Sequence, residues 1–101
     1  MGMKIEDLEK FASTYPNSQY ADDALYELGR AYERINNDFE ATKHYNDIIA
    51  NFAQSTYKKK ALLQLGLINY NNKNLPKSLE CYKQVVENYP NSEEAKSALG
   101  G

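Results

Sequence analysis

Tyr15-Pro16-Asn17-Ser18 decides how this chain is read, because it returns as Phe52-Ala53-Gln54-Ser55 and again as Tyr89-Pro90-Asn91-Ser92. Ser18, Ser55 and Ser92 stand 37 residues apart (55 − 18 and 92 − 55). Self-similarity at a period of about 20–50 residues is the mark of a repeat array, in which each unit buries its apolar face only against its neighbours. Any function therefore has to come from the architecture of the array.

Upstream of the phrase, Ile5, Leu8, Phe11 and Ala12 follow helical spacing as far as the Tyr15-Pro16 break. Leu8 and Phe11 lie 37 residues before Tyr45 and Ile48, so this helix corresponds to the second helix of the following unit. Downstream, Ser18 is expected to cap a helix running to about Ile35, with Asp22 and Asp23 near its start, where the helix dipole favours negative charge. Leu25, Leu28, Tyr32 and Ile35 give that helix one apolar stripe, and Ala21, Ala24 and Ala31 give it a small-residue surface for another helix. Asn36-Asn37-Asp38 is a turn and cap, and Ala41, Tyr45, Ile48, Ile49 and Phe52 mark the returning helix. Two helices on so short a turn form an antiparallel hairpin.

The second copy opens at Ser55. Leu62, Leu65 and Ile68 repeat the stripe, with Leu63, Leu67 and Tyr70 added beside it. Asn71-Asn72-Lys73-Asn74 forms the turn, Pro76 falls in the first turn of the next helix, and Leu79, Tyr82, Val85, Val86 and Tyr89 complete the hairpin. Ser92-Glu93-Glu94 begins a further helix. The expected fold is all-α: a solenoid of two complete antiparallel hairpins with a partial repeat on each side. Its expected segments are 4–17, 18–54, 55–91 and 92–101 within a single domain, with Met1-Gly2-Met3 read as a vector-type leader and the whole as a piece of a longer protein. Gly29 and Gly66 also stand one period apart, inside helices where glycine costs about 1 kcal/mol. They predict close approach of the paired helix near Ala41 and Ser78.

Composition limits what the array can do. Twelve Lys+Arg against 14 Asp+Glu give a net charge of −2, which offers no general attraction to nucleic acid. No apolar run approaches the roughly 20 residues of a membrane-spanning helix. The one cysteine, Cys81, excludes an internal disulfide, and with the one histidine, His44, it falls short of the roughly four ligands of a zinc site. No nucleophile, base and orienting group occur together, and no glycine-rich phosphate loop is present, so neither an enzyme nor a cofactor is expected. The nine tyrosines mostly fall at stripe or turn positions, where packing is the stronger account.

At these positions the chain resembles the tetratricopeptide repeat family. Leu25-x-x-Leu28-Gly29-x-x-Tyr32, then Ala41 and Tyr45, follow its loose signature. So do Leu62-x-x-Leu65-Gly66, Ser78, Tyr82 and Pro90, with Asn69 in place of the tyrosine and Ala53 in place of the first proline. The phrase Tyr-Pro-Asn-Ser followed by Ala-x-x-Ala-Leu-x-x-Leu-Gly further resembles bacterial envelope members, among them the Tol-Pal-associated coordinator and outer-membrane assembly lipoproteins. That likeness implies a periplasmic or envelope setting, with the cytoplasm as the alternative. The family resemblance implies a module without chemistry of its own that binds a peptide or protein segment in a concave groove lined by first helices.

Carried onto this sequence, the groove positions are Asp23, Tyr26, Arg30, Glu33 and Arg34 in the first copy and Lys60, Leu63, Leu67, Tyr70 and Asn71 in the second. The opposing interpretation buries Leu63, Leu67 and Tyr70 against neighbouring helices, which would leave a structural spacer without a ligand. Lys58-Lys59-Lys60 opposes the dipole of its own helix, and Lys59 and Lys60 correspond to Asp22 and Asp23. An inter-repeat charge ladder between these positions is expected, with a patch for an acidic partner as the alternative. Apolar faces at Ile5, Leu8 and Phe11 and at Ala95 and Leu99 are expected to be exposed and to offer head-to-tail self-association.

Overall fold

A computed structural model describes residues 4–100, with side chains as far as residue 97. The leader read at residues 1–3 and the side chain of Leu99 lie outside what is described. Six helices follow one another: α1 Ile5–Thr14, α2 Ala21–Arg34, α3 Asp38–Asn51, α4 Tyr57–Asn71, α5 Leu75–Asn88 and α6 Glu93–Gly100, and no strand occurs among the described residues. The expected all-α array of hairpins is what the chain forms.

The recurring phrase is one turn made three times. Tyr15, Phe52 and Tyr89 cap the C-termini of α1, α3 and α5 with φ of −126, −130 and −136°, outside the helical range. Their N–H groups still donate to the carbonyls of Phe11, Ile48 and Val85 at 2.8, 2.8 and 2.9 Å. Three residues on, the N–H groups of Ser18, Ser55 and Ser92 donate back to the aromatic residue's carbonyl at 3.1, 2.9 and 3.1 Å. This closes a β-turn in which Pro16 and Pro90 hold the position suited to their fixed φ. The expected Ser18 cap is corrected by this geometry. Ser18 Oγ accepts from the N–H of Tyr20 at 3.1 Å, inside the loop, and α2 starts only at Ala21 without a side-chain cap. Where the helix follows the serine directly, at α6, the cap forms: Ser92 Oγ accepts from the N–H of Ala95 at 3.0 Å.

The turns inside the hairpins also match. Asn36 and Lys73, one period apart, sit at φ 62 and 64°. Behind them the N–H groups of Asn37 and Asn74 each reach back to the last turn of the preceding helix, to Tyr32 and Asn69 carbonyls at 2.8 Å. That pattern is the left-handed closure that stops a helix and reverses the chain. Asn37 then caps α3 by accepting from the N–H of Glu40 at 3.2 Å.

Packing is between neighbours along the chain, with an inner and an outer layer. Helix α2 touches α4 and α4 touches α6, whereas among the described residues no Cα atoms of α1, α3 and α5 come within 8 Å of one another. The array therefore curves with α2, α4 and α6 on its inner side. Its core is divided among the junctions: Leu8, Ala24 and Leu28 between α1 and α2; Ala41, Tyr45, Ile48, Ala61, Leu65, Ile68 and Cys81 around α3 and α4; Leu62, Val85 and Ala95 around α4, α5 and α6. His44 and Cys81 share one register position and are both buried in the helix packing. His44 Nδ1 donates to the Glu40 carbonyl at 2.7 Å, and its ring stacks on Tyr32.

Close approach at the glycines is present, but its cause is a tyrosine ring. A Cβ added at Gly66 would stand 2.5 Å from Tyr82 Cε1, and one at Gly29 would meet the ring of Tyr45 in the same way. The expected neighbour Ser78 contributes differently, donating its hydroxyl to the Gly66 carbonyl at 2.8 Å. Two further expectations are corrected. Ile35 leaves the apolar stripe because it caps the C-terminus of α2, and it is 60% exposed. Leu8 and Ala95 are not exposed end faces, since Leu8 is buried on Ala24 and Leu28 and Ala95 on Leu62 and Val85.

Candidate peptide-binding face

Helices α2 and α4 supply the inner face, and the side chains expected to line it divide into three groups. The first is a polar floor. Arg30 Nη1 donates to Gln64 Oε1 at 2.7 Å and pairs with Glu33 at 3.4 Å, and Glu33 accepts the hydroxyl of the fully buried Tyr45. The Asp23 carboxylate lies near the Tyr57 hydroxyl. The ring of Tyr26 lies between those of Tyr57 and Tyr45, with centroids 5.3 and 5.9 Å away, and Lys60 Nζ sits 5.6 Å from the Tyr57 ring centroid.

Burial dominates the electrostatics of this floor. It raises the hydroxyls of Tyr26, Tyr45 and Tyr57 above their ordinary 10.0. Arg30 draws Tyr26 and Tyr45 partly back, while the bond to Glu33 raises Tyr45 further and the nearby Asp23 carboxylate does the same for Tyr57. The phenols stay neutral donors across the physiological range, which is the state that pairs with carboxylates.

The second group is apolar and open: Leu67 and Tyr70, on the C-terminal half of α4, are 40% and 55% exposed, with exposed Asn71 beside them. The third group does not belong to the face as expected. Leu63 is partly buried against the cluster of Leu62, Val85 and Ala95, in the direction of the opposing interpretation. Arg34, in the last turn of α2, lines a separate cavity of about 310 Å³ with Leu8, Phe11, Tyr20, Ala24 and Glu27, toward α1. Asp23 borders both.

Gln64 and Tyr57 complete the floor and were not among the positions carried over from the resemblance. Their signal is a separation shorter than the repeat. Arg30 and Gln64 are 34 apart, and the Asp22 carboxylate and the Ser55 hydroxyl that it accepts are 33 apart. Contacts across the inner layer thus fall about one helical turn short of the period, because adjacent helices are staggered as they pack. The lysine ladder is corrected by the same stagger. Lys59 does not pair with Asp22 but reaches forward to Glu94 of α6 at 3.7 Å. The expected inter-repeat charge contact exists, one junction further on.

Among the described residues no cluster of three or more His, Cys, Asp or Glu could hold a metal ion, and no helix is long and apolar enough to cross a membrane. The model of the tetratricopeptide repeat matches residues 23–55 and 60–92, again offset by one period. The chain belongs to the tetratricopeptide repeat family. Comparison with curated proteins gives no match. Tetratricopeptide repeats are typically non-catalytic modules that mediate protein–protein interaction. The inner helices of this one carry a tied polar floor and an open apolar edge.

Proposed function

We propose that the chain is a non-catalytic interaction module that holds an extended or helical segment of a partner protein along the inner face of α2 and α4, within a larger assembly. The observation that carries this reading is the exposure of Leu67 and Tyr70 on an inner helix directly beyond the Arg30–Gln64 floor. An apolar anchor site next to fixed charged groups suits a peptide with one or two large side chains and polar flanks. The envelope setting implied by the sequence resemblance belongs to this proposal, and fractionation of cells that express this protein tests it.

A second reading, the structural spacer, is favoured by one feature: Arg30 and Glu33 already spend their bonds within the chain. The triple variant Arg30→Ala, Lys60→Ala, Leu67→Ala separates the two readings when partner capture by the protein is compared with and without it. The binding module loses at least about tenfold in recovered partner while its circular dichroism is unchanged. Undiminished capture rules the inner face out and leaves the spacer.

A further inference from the structure

The geometry points to a second binding site, on the outer side of the array between α1 and α3, that takes an arginine side chain presented by a partner protein. No Cα of α1 comes within 8 Å of α3, and α2 floors the gap that this leaves. Ala12, Asn17, Leu25, Asp47, Asn51 and Phe52 line a cavity there of about 500 Å³, which shares no residue with the inner face. A further repeat at either end leaves such a gap open. Around the matching pair α3 and α5, whose neighbours α2 and α6 are both present, no described Cα of α2 comes within 8 Å of α5, nor any of α6 within 8 Å of α3.

The cavity calls for a cation. Asp47 is half-buried in it, and the ion pairs among the described residues, Arg30–Glu33, Lys59–Glu94, Lys83–Glu87 and Lys96–Glu93, do not include it. A half-buried carboxylate without a partner carries a desolvation cost that a bound cation offsets. Helices α1 and α3 both end here, at Thr14 and Asn51, and neither has a basic residue in its last turn to meet the negative end of its dipole. Helix α2 starts at the floor, but Asp22 and Asp23 occupy its first turn. The wider field agrees: residues 4–54 carry five Lys and Arg against ten Asp and Glu, a net charge of −5, whereas residues 55–101 carry seven against four, a net charge of +3. Toward Glu9 the gap continues into a cavity of about 260 Å³, with Lys43 on its rim and Glu9 already bonded to the Tyr32 hydroxyl.

The second copy shows that the fold needs neither the space nor the carboxylate. One period on, Ala12 becomes Ile49, which packs against two core clusters, the floor residue Ala21 becomes Lys58, and Asp47 becomes Gln84. Arginine is the cation that uses all of the first copy's lining. Its stem lies along Ala12 and Leu25, its fork of donors matches the Asp47 carboxylate and the amide oxygens of Asn17 and Asn51, and its plane stacks on Phe52. Lysine brings a point charge and no plane. The chain's own arginines are Arg30 and Arg34. Arg30 is tied to Gln64 and Glu33, and Arg34 lines the cavity with Leu8 and Phe11, so the side chain comes from another protein.

The probe is a short fluorescent, end-capped peptide with one central arginine among Gly, Ser and Ala, titrated by anisotropy into the intact chain beside versions with lysine or citrulline in its place. The arginine peptide is expected to bind at least about tenfold more tightly than the citrulline one at low salt, with the lysine one between them. Asp47→Gln and Ala12→Ile each install the residue that the same fold carries one period on, and circular dichroism checks that the fold is kept. Both are expected to remove the preference, the first by taking the charge and the second by filling the space. Equal binding of the arginine and citrulline peptides overturns the site, as does a preference that survives Asp47→Gln. A preference lost in Asp47→Gln but kept in Ala12→Ile reduces the effect to surface charge and overturns the cavity. A lysine peptide bound as tightly as the arginine one overturns the choice of side chain. A concentration-dependent dimer mass that Asp47→Gln abolishes, without any peptide preference, overturns the choice of occupant in favour of a second copy of this chain.

Discussion

Lys73 is the residue at which the demands of the backbone and the choice of side chain disagree. Its φ of 64° matches that of Asn36 one period earlier, but asparagine tolerates the left-handed region and lysine does not. Lys73→Gly is expected to raise stability by about 1 kcal/mol, read as a higher urea midpoint with an unchanged slope. Nothing in the sequence announces that strain, because the signal lies in backbone geometry and the residue type points the wrong way. Tyr32 makes a pH-dependent contribution. Its hydrogen bond to Glu9 pushes its pKa up to about 12 from 10.0, with burial adding to the effect. An acid whose folded pKa is raised stabilises fully below its unfolded pKa and loses that contribution as pH climbs through the folded one. Stability is therefore expected to fall between about pH 10 and 12 with a steeper slope in the native chain than in Tyr32→Phe, as followed by urea unfolding at stepped pH.

At the scale of helices, each hairpin is locked by a ring laid on a glycine. Gly66→Leu forces Tyr82 out of its place and is expected to cost about 2–3 kcal/mol, seen as a lower melting temperature; an unchanged one speaks against the lock. The helix spans were legible because apolar spacing and the recurring turn phrase agree in both copies. The glycines showed that a close approach had to exist, but Tyr45 and Tyr82 were not named as its cause. A missing side chain marks space without saying which atoms enter it. The same limit applies to Ser18, whose hydroxyl suits a cap at any distance in sequence, while the two loop residues Gln19 and Tyr20 separate it from α2. Stagger between stacked helices explains the lysines. A repeat length tells which positions are equivalent, but contacts across the inner layer run about a turn shorter, so Lys59 meets Glu94. Glu94→Lys is expected to loosen α6, with faster amide exchange there than in α4.

Across the whole molecule, the two repeats stack with α2 and α4 on the inside, and the inner face inherits its character from that stack. The expected positions divide: Tyr26, Arg30, Glu33 and Lys60 converge on the floor with Asp23, and Leu67, Tyr70 and Asn71 lie open beside it, while Leu63 packs against the core and Arg34 faces α1. A register argument assigns helix faces by analogy, and it cannot see that one copy's apolar position is covered by its own next helix. The claim on which the rest depends is that one hairpin is built twice and the copies lie against each other through α3 and α4, with the first helices α2 and α4 meeting along the inner side. Nuclear Overhauser effects test it most directly, between the Tyr45 ring and Gly29 Hα, between the Tyr82 ring and Gly66 Hα, and between the rings of Tyr26 and Tyr57. All three are expected. A spectrum in which the two glycines see different neighbours, or in which Tyr26 and Tyr57 share no contact, contradicts the account.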